Sequence, residues 1–201
     1  MITIVDYGIG NIGALENCYK RLNIKTRLAS DAGALDGSER LILPGVGAYD
    51  TAIERLNASG MRDKLDTLVL DTKLPVLGIC VGMQMLGTGS DEGRMNGLDW
   101  VAGRSKLFPS SCKLVPHLGW NDVVPTVTIN ALFKDLEQDA RFYFLHSYYF
   151  EALHSDTVSA QTSYGFTFDC ALSSGNVHGV QFHPEKSHSW GATLLKNFAE
   201  V

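Results

Sequence analysis

The sequence predicts an α/β sandwich, with a mostly parallel central sheet, helices on both faces, and an antiparallel or mixed extension from the second half of the chain. Three observations predict it. As far as Gly87, short apolar runs alternate with helical patterns. Beyond that point strand-like runs follow one another with little helix between them. No repeat, low-complexity stretch or Pro/Gly/Ser linker interrupts the 201 residues, so one domain over 1–201 is expected.

Taken in order, MITIV is a short apolar run suited to a strand buried on both faces of a parallel sheet. Asn11 stands where it can cap a helix whose apolar residues Ile12, Leu15, Tyr19 and Leu22 recur at helical spacing. KTRLAS and RLILPG read as the second and third strands. Tyr49, Ala52, Ile53 and Leu56 mark one further helix, and Met61, Leu65, Leu68 and Val69 another. LPVLGIC is a fourth strand, followed by the helix-like GMQMLG. Such alternation requires parallel strands joined by crossover helices. DWVAGRSKLF, DVVPTVTI, RFYFLHSYYFEA, SAQTSYGFTFDCALSS and VHGVQFH then predict the antiparallel or mixed extension of the same sheet. A last helix carries Trp190, Leu194, Leu195 and Phe198 on one face.

The totals exclude several functional classes. A hydrophobic fraction of 45% is that of a soluble globular protein, and a net charge of −5 argues against nucleic acid or an anionic membrane as the main partner. No apolar run approaches the roughly 18 residues of a membrane span. No basic region precedes the first apolar run, so no signal peptide is expected. Cys18, Cys80, Cys112 and Cys170 are scattered with no C-x-x-C pair. That pattern predicts reduced thiols in a cytoplasmic protein, without a zinc site or a disulfide framework. His183 and His188 lack a metal-like spacing, since a proline and a helix start lie between them, so no metal or cofactor is expected.

Four motifs could carry chemistry. Gly8, Gly10 and Gly13 spell G-x-G-x-x-G after the first strand, and Asp31 follows the second strand where a ribose-binding acid lies in dinucleotide folds. The pattern is weak alone, because the same glycines let any strand turn sharply into a helix. Gly78-Ile79-Cys80-Val81-Gly82 has the form G-x-nucleophile-x-G at a strand-to-helix junction. There a helix N-terminus favours a thiolate and presents amides to an oxyanion. The plain alternative is a buried, inert thiol.

In GVQFHPEKS, His183 and Glu185 sit two apart in an extended segment that Pro184 stiffens. A carboxylate there can orient an imidazole that serves a distant thiol. Pro44-Gly45-Val46-Gly47 ends the third strand and can expose unpaired amides at the carboxyl edge of the sheet. Those amides would complete an oxyanion hole with the N–H of Val81.

Together these residues resemble the class I, triad-type glutamine amidotransferases, on GICVGMQ, FHPE and PGVG. Within that family the chain is similar to the glutaminase subunits of imidazole glycerol phosphate synthases. VDYGIGN, LPGVGAYD, GICVGMQML, PHLGWN, FYFLHSYY and GVQFHPEKS carry this likeness over essentially the whole chain. The resemblance implies a class I amidotransferase-like, flavodoxin-like fold. It implies Cys80 as the nucleophile on the glutamine carboxamide, His183 as acid and base, and Glu185 as the group that holds the imidazole. Val81 with Val46 or Gly47 would form the oxyanion hole. Gln84, with main chain near Ser147 and Tyr148, would hold the amino-acid end of L-glutamine.

The resemblance further implies a heterodimer with a (βα)8-barrel cyclase subunit that receives the ammonia, with Tyr7, Asn11, Trp120 and Lys186 at the interface. On this reading the opening turn faces the partner and not a dinucleotide, and Asp31 loses its role. Two details depart from the pattern. Val81 stands where Leu is commoner, and Trp100 stands where histidine-pathway enzymes tend to carry a smaller aliphatic residue. The stretch around Trp100 resembles a paralogous group that supplies ammonia to sugar-modifying enzymes of surface-polysaccharide biosynthesis. A non-catalytic glutamine- or partner-binding module is a third reading, opposed by the intact Cys80, His183 and Glu185. An oxidoreductase built on the Gly8–Gly13 turn is the fourth.

Overall fold

The computed structural model describes residues 1–110, 112, 114–126 and 131–201. The centre of the main sheet is parallel and runs β2 (Thr26–Ala29), β1 (Ile2–Val5), β3 (Arg40–Gly45), β4 (Val76–Cys80) and β12 (Val177–Val180). Every position of β1, β4 and β12 is buried, which is why these strands read as continuous apolar runs without alternation. The sheet continues antiparallel through β11 (Thr167–Ser174), β10 (Val158–Ser163) and β7 (Val124–Pro125). β9 (Tyr148–Ala152) branches from β11 and carries β5 (Gly103–Leu107). The expected mixed extension is thus present.

Helix α1 (Ile12–Arg21) packs on α5 (His188–Glu200), and α2 (Tyr49–Ala58) packs on α4 (Val81–Met85). The apolar spacing fixes which faces turn inward: Leu15 and Tyr19 in α1, Ala52, Ile53 and Leu56 in α2, Leu194, Leu195 and Phe198 in α5 are all buried. The helix predicted from Met61 to Val69 is two pieces, α3 (Arg62–Asp66) and a π turn at Thr67–Asp71, with Met61 just before the first. Asn11 does precede α1, but its side chain makes no capping hydrogen bond.

Two expectations about the second half need correction. RFYFLHSYYFEA is not one strand. It breaks at Ser147 into β8 (Arg141–His146) and β9, and β8 leaves the main sheet to pair with β6 (His117–Asp122) in a separate two-stranded ribbon. β6 itself was not expected as a strand. Of DVVPTVTI, Val124–Pro125 forms β7, and 127–129 lie outside the described residues.

The ribbon is fastened over the carboxyl end of β12 by aromatic packing. Phe142 stacks on Phe182 with ring centroids 4.0 Å apart, and Phe144 meets the same ring edge-on at 5.6 Å. Pairs of this kind contribute about 0.5–1.5 kcal/mol each beyond their buried area. In register, Gly45 lies opposite Cys80 and Ile79 opposite Val180, so β3, β4 and β12 end at one level. That edge is where open α/β sheets bind ligands. No helix among the described residues is long and apolar enough to cross a membrane.

Candidate active site

Cys80 is the last residue of β4 and the residue before α4, with φ 56° and ψ −113°. A non-glycine residue with positive φ is strained and persists only where its surroundings hold it. The neighbouring glycines show how. A Cβ on Gly82 would overlap the carbonyl of Leu43, one on Gly45 would overlap the amide of Gly82, and one on Gly78 would meet the carbonyl of Gly82 at 2.6 Å. The turn therefore lies flush against β3, and the cysteine is what projects from it. Helix α4 is only five residues long, so the expected help from a helix dipole reduces to its first amides.

His183 reaches the same place from β12. Its N–H donates to the Tyr143 carbonyl at 2.8 Å, and its own carbonyl accepts from Ser187 Oγ at 2.6 Å. Glu185 Oε1 lies 2.9 Å from His183 Nδ1, with both side chains almost fully buried. The segment is not extended as expected: Pro184–Lys186 form a 3₁₀ turn that swings Glu185 back beneath the imidazole. With Nδ1 committed to Glu185, Nε2 is left for Cys80. Burial opposes the charged ring, but the hydrogen bonds and negative charge of Cys80 and Glu185 prevail and raise the His183 pKa to about 10.

These residues face a cleft of about 470 Å³. Cys80, Val81, Gln84 and His183 line it together with Val46–Gly47 and Ser147–Tyr148, and Lys186 stands at its rim. The amides of Val46 and Gly47 donate to no acceptor among the described residues, and Gly47 has φ +84°. Gln84 Nε2 donates to the Tyr148 carbonyl and to Gln181 Oε1, both at 3.1 Å. The arrangement can deprotonate a thiol, receive an oxyanion and hold a small polar ligand.

Three contributors were not anticipated. Glu92 lines the cleft, accepting from the Tyr49 amide at 3.1 Å. Burial raises its carboxyl above the usual range, the Tyr49 bond opposing and Asp50 adding. Its only sequence signal was its place in DEGRMNGLDWVAGRSKLF, the stretch around Trp100 that departs from the pattern. Gln181, fully buried, directs Nε2 at Cys80 Sγ from 3.8 Å; it stood unremarked inside GVQFHPE. His146 lines the cleft from β8. Among the described residues, no three His, Cys, Asp or Glu side chains are grouped for a metal ion.

Tyr7, expected on a partner-facing surface, is instead buried, with its hydroxyl donating to the Pro44 carbonyl. Burial, with the charge of Cys80 adding, raises its phenol far above the usual range. Asn11 is exposed. Trp120 is 38% exposed and stacks on His188 at 5.3 Å. The opening turn is filled from within: Gly10 has φ +118°, and a Cβ there would press into the ring of Pro44. Asp31 accepts from the Ala34 amide at 2.9 Å and so is spent on a local turn.

The sequence profile of the family described as glutamine amidotransferase class-I matches residues 3–201. The chain is 57% identical to the imidazole glycerol phosphate synthase subunit HisH of Bdellovibrio bacteriovorus, over the full length of both. It is 45% identical to the protein of the same name from Leptospira interrogans, again over both full lengths. Among solved structures it is similar to a glutamine amidotransferase, with a TM-score of 0.79 and 18% identity, covering 99% of this chain and 97% of that one. It is also similar to PurLQS from Thermotoga maritima, with a TM-score of 0.76 and 17% identity, and the same two coverages.

Proposed function

The chain belongs to the class-I glutamine amidotransferases, and we propose that within them it is the glutaminase subunit of an imidazole glycerol phosphate synthase. It hydrolyses L-glutamine to glutamate and ammonia and delivers the ammonia for histidine biosynthesis, as one domain over 1–201. The observation that carries the chemistry is Cys80, held at positive φ at the cleft, opposite a His183 that Glu185 orients.

His183 Nε2 takes the Cys80 proton as the thiolate attacks the carboxamide carbon. The oxyanion forms against the amides of Val81 and of Val46 or Gly47. The tetrahedral species collapses with loss of the C–N bond, and His183 returns its proton to the departing ammonia. A water then gives a proton to His183 and attacks the thioester, releasing glutamate and the thiol. Both Nε2 hydrogens of Gln84 are committed, so its Oε1, with the Glu92 carboxylate, is available to the substrate ammonium. Main chain near Ser147 and Tyr148 meets the other end.

The partner is a (βα)8-barrel cyclase subunit in a heterodimer. Its support is the outer face of the β6–β8 ribbon, where Leu118 and Leu145 lie directly opposite each other, 58% and 42% exposed. Trp120 and Tyr143 form the next outward pair, and Lys186 Nζ stands over the Tyr143 ring at 5.7 Å. A partner seated there closes the mouth of the cleft, since Leu145 and Lys186 also line it. Cys18, Cys80, Cys112 and Cys170 are free, which fits a cytoplasmic location. Trp100, the feature that suggested the surface-sugar paralogue, is buried and donates its indole N–H to Asp66 at 2.7 Å. It holds a loop to α3 and gives no support to a different acceptor.

The experiment is glutamate release by the chain alone and with the cyclase barrel of the same source, each with and without the nucleotide substrate. A large rise only with barrel and nucleotide, abolished by Cys80→Ala, is expected. No rise from a folded chain would overturn the assignment and point to another acceptor.

A further inference from the structure

The cleft is wired to a pair of buried histidines that the mechanism above does not use. His117 on β6 and His146 on β8 are cross-strand neighbours on the inner side of the ribbon. His146 Nδ1 lies 2.7 Å from the carbonyl oxygen of Tyr148, and His117 Nδ1 lies 3.0 Å from His146 Nε2. A carbonyl oxygen only accepts, so His146 carries its proton on Nδ1 and its Nε2 accepts. His117 must then donate from Nδ1, which leaves its Nε2 to accept from the Asn121 amide at 3.2 Å. Asn121 gives its other hydrogen to the Ser163 carbonyl at 2.9 Å, and its Oδ1 accepts from the Asp122 amide at 2.9 Å.

Every bond in this chain therefore runs one way, from Asn121 to Tyr148. Burial agrees with it. It lowers His117 to about 4 and, with the His117 and His183 rings adding to it against the Tyr148 bond, His146 to about 3. A second proton on either ring would set donor against donor.

The chain ends where substrate is expected. The Tyr148 carbonyl is shared between His146 and Gln84, and Gln84 passes on to Gln181, which reaches Cys80. Were the Tyr148 peptide free to turn, Gln84 would lose the acceptor that fixes which end of its amide meets the cleft. We propose that the His117–His146 pair is a positioning element for glutamine, clamping the Tyr148 peptide and, through it, the orientation of the Gln84 amide. This deepens the glutaminase reading and rests on it.

The test uses a difference between two amides. Asparagine places its nitrogen near the position of histidine Nδ1, and glutamine near that of Nε2. His146→Asn thus keeps the donor to Tyr148, whereas His146→Gln keeps only the contact toward His117. With partner and nucleotide present, His146→Gln is expected to raise the KM for glutamine about fivefold to tenfold with kcat within about twofold, the loss of one neutral hydrogen bond from substrate positioning. His146→Asn recovers most of that loss. His117→Phe, which removes the donor to His146, gives a smaller rise in KM, and His117→Asn restores it.

An unchanged KM in His146→Gln, equal losses in the Gln and Asn variants, or a loss confined to kcat would overturn the proposal. Should His146→Gln fail to fold, the His117 pair of variants decides the matter by the same contrast. L-Glutamine affinity measured by calorimetry in a Cys80→Ala background needs no turnover. Wild-type protein that binds glutamine but never releases glutamate would therefore sink the glutaminase reading while still testing the clamp.

Discussion

Glu185 holds His183 through one carboxylate oxygen, Oε1 at 2.9 Å, while its other oxygen, Oε2, is buried with no hydrogen-bond partner among the described residues. A carboxylate kept in that condition has the imidazole as its counter-charge, and the pair acts as a unit. Glu185→Gln removes the charge and can turn an NH2 toward the ring. Glutamate release is expected to fall about 10⁴-fold, the order of loss when the orienting acid of such a triad becomes its amide. Because the lost charge lowers the His183 pKa, alkylation of Cys80 by iodoacetamide at neutral pH should slow as well. An unaltered alkylation rate would show that the ring does not depend on Glu185.

Gly82 offers a mechanical test of the elbow. Gly82→Ala drives a methyl group into the Leu43 carbonyl and forces the turn away from β3. The cost is about 1–3 kcal/mol, or roughly 2–4 °C of Tm for each kcal/mol in a chain of this size. Glutamate release should fall further than the lost stability explains, since Cys80 moves with the turn. A variant with normal Tm and turnover would mean that β3 yields at little cost.

The third glycine of the opening turn behaves oppositely. A Cβ on Gly13 meets nothing within 4 Å among the described residues, and the residue is the second of α1. Gly13→Ala should stabilise the protein by about 0.5–1 kcal/mol in urea titration and leave glutamate release intact. A loss of stability would mean that α1 sits closer to its neighbours than the open space around Gly13 indicates.

Acid should weaken the fold before carboxylates titrate. His117 and His178 are held near 4 by burial, and His146 near 3. Unfolded, each returns to about 6.5 and binds a proton that the folded form refuses. Their contribution is complete above pH 6.5 and is lost as pH falls toward their folded values. His183 has the opposite sign: its contribution is complete below pH 6.5 and is lost as pH rises through about 10. Urea midpoints should therefore drop between pH 7 and pH 5. A flat or rising midpoint over that window would show that the three rings are not neutral in the fold.

The legible parts of this protein were those fixed by local rules. Arg40–Gly45 is a strand over its whole predicted length, an apolar run bounded by a charged residue and a tight turn. The Gly-x-Cys-x-Gly spacing marked a real elbow because its glycines answer a close backbone approach. What escaped depends on partners far along the chain. β6 places His117, Gly119 and Asn121 on its inner side, a pattern that does not read as a buried strand face. Its polar groups are satisfied by His146 and Ser163, 29 and 42 positions away. Tyr7 was misplaced for the same reason, since the carbonyl that lets its hydroxyl be buried belongs to Pro44, 37 positions on.

The parallel pairing of β4 with β12 also bears on how the protein is made. Gln181, next in line after β12, is 101 positions from Cys80, so the proposed nucleophile and its proposed base, His183, meet only by closing a loop of about half the chain. Pairings of such sequence separation form late, because their closure entropy is met before any contact rewards it. A nascent chain that has emerged only as far as β9 already carries Cys80 but lacks His183, its proposed base. On the proposed mechanism the thiol is thereby armed late, when the sheet around it is in place, and a half-made chain holds no activated nucleophile to react with its surroundings.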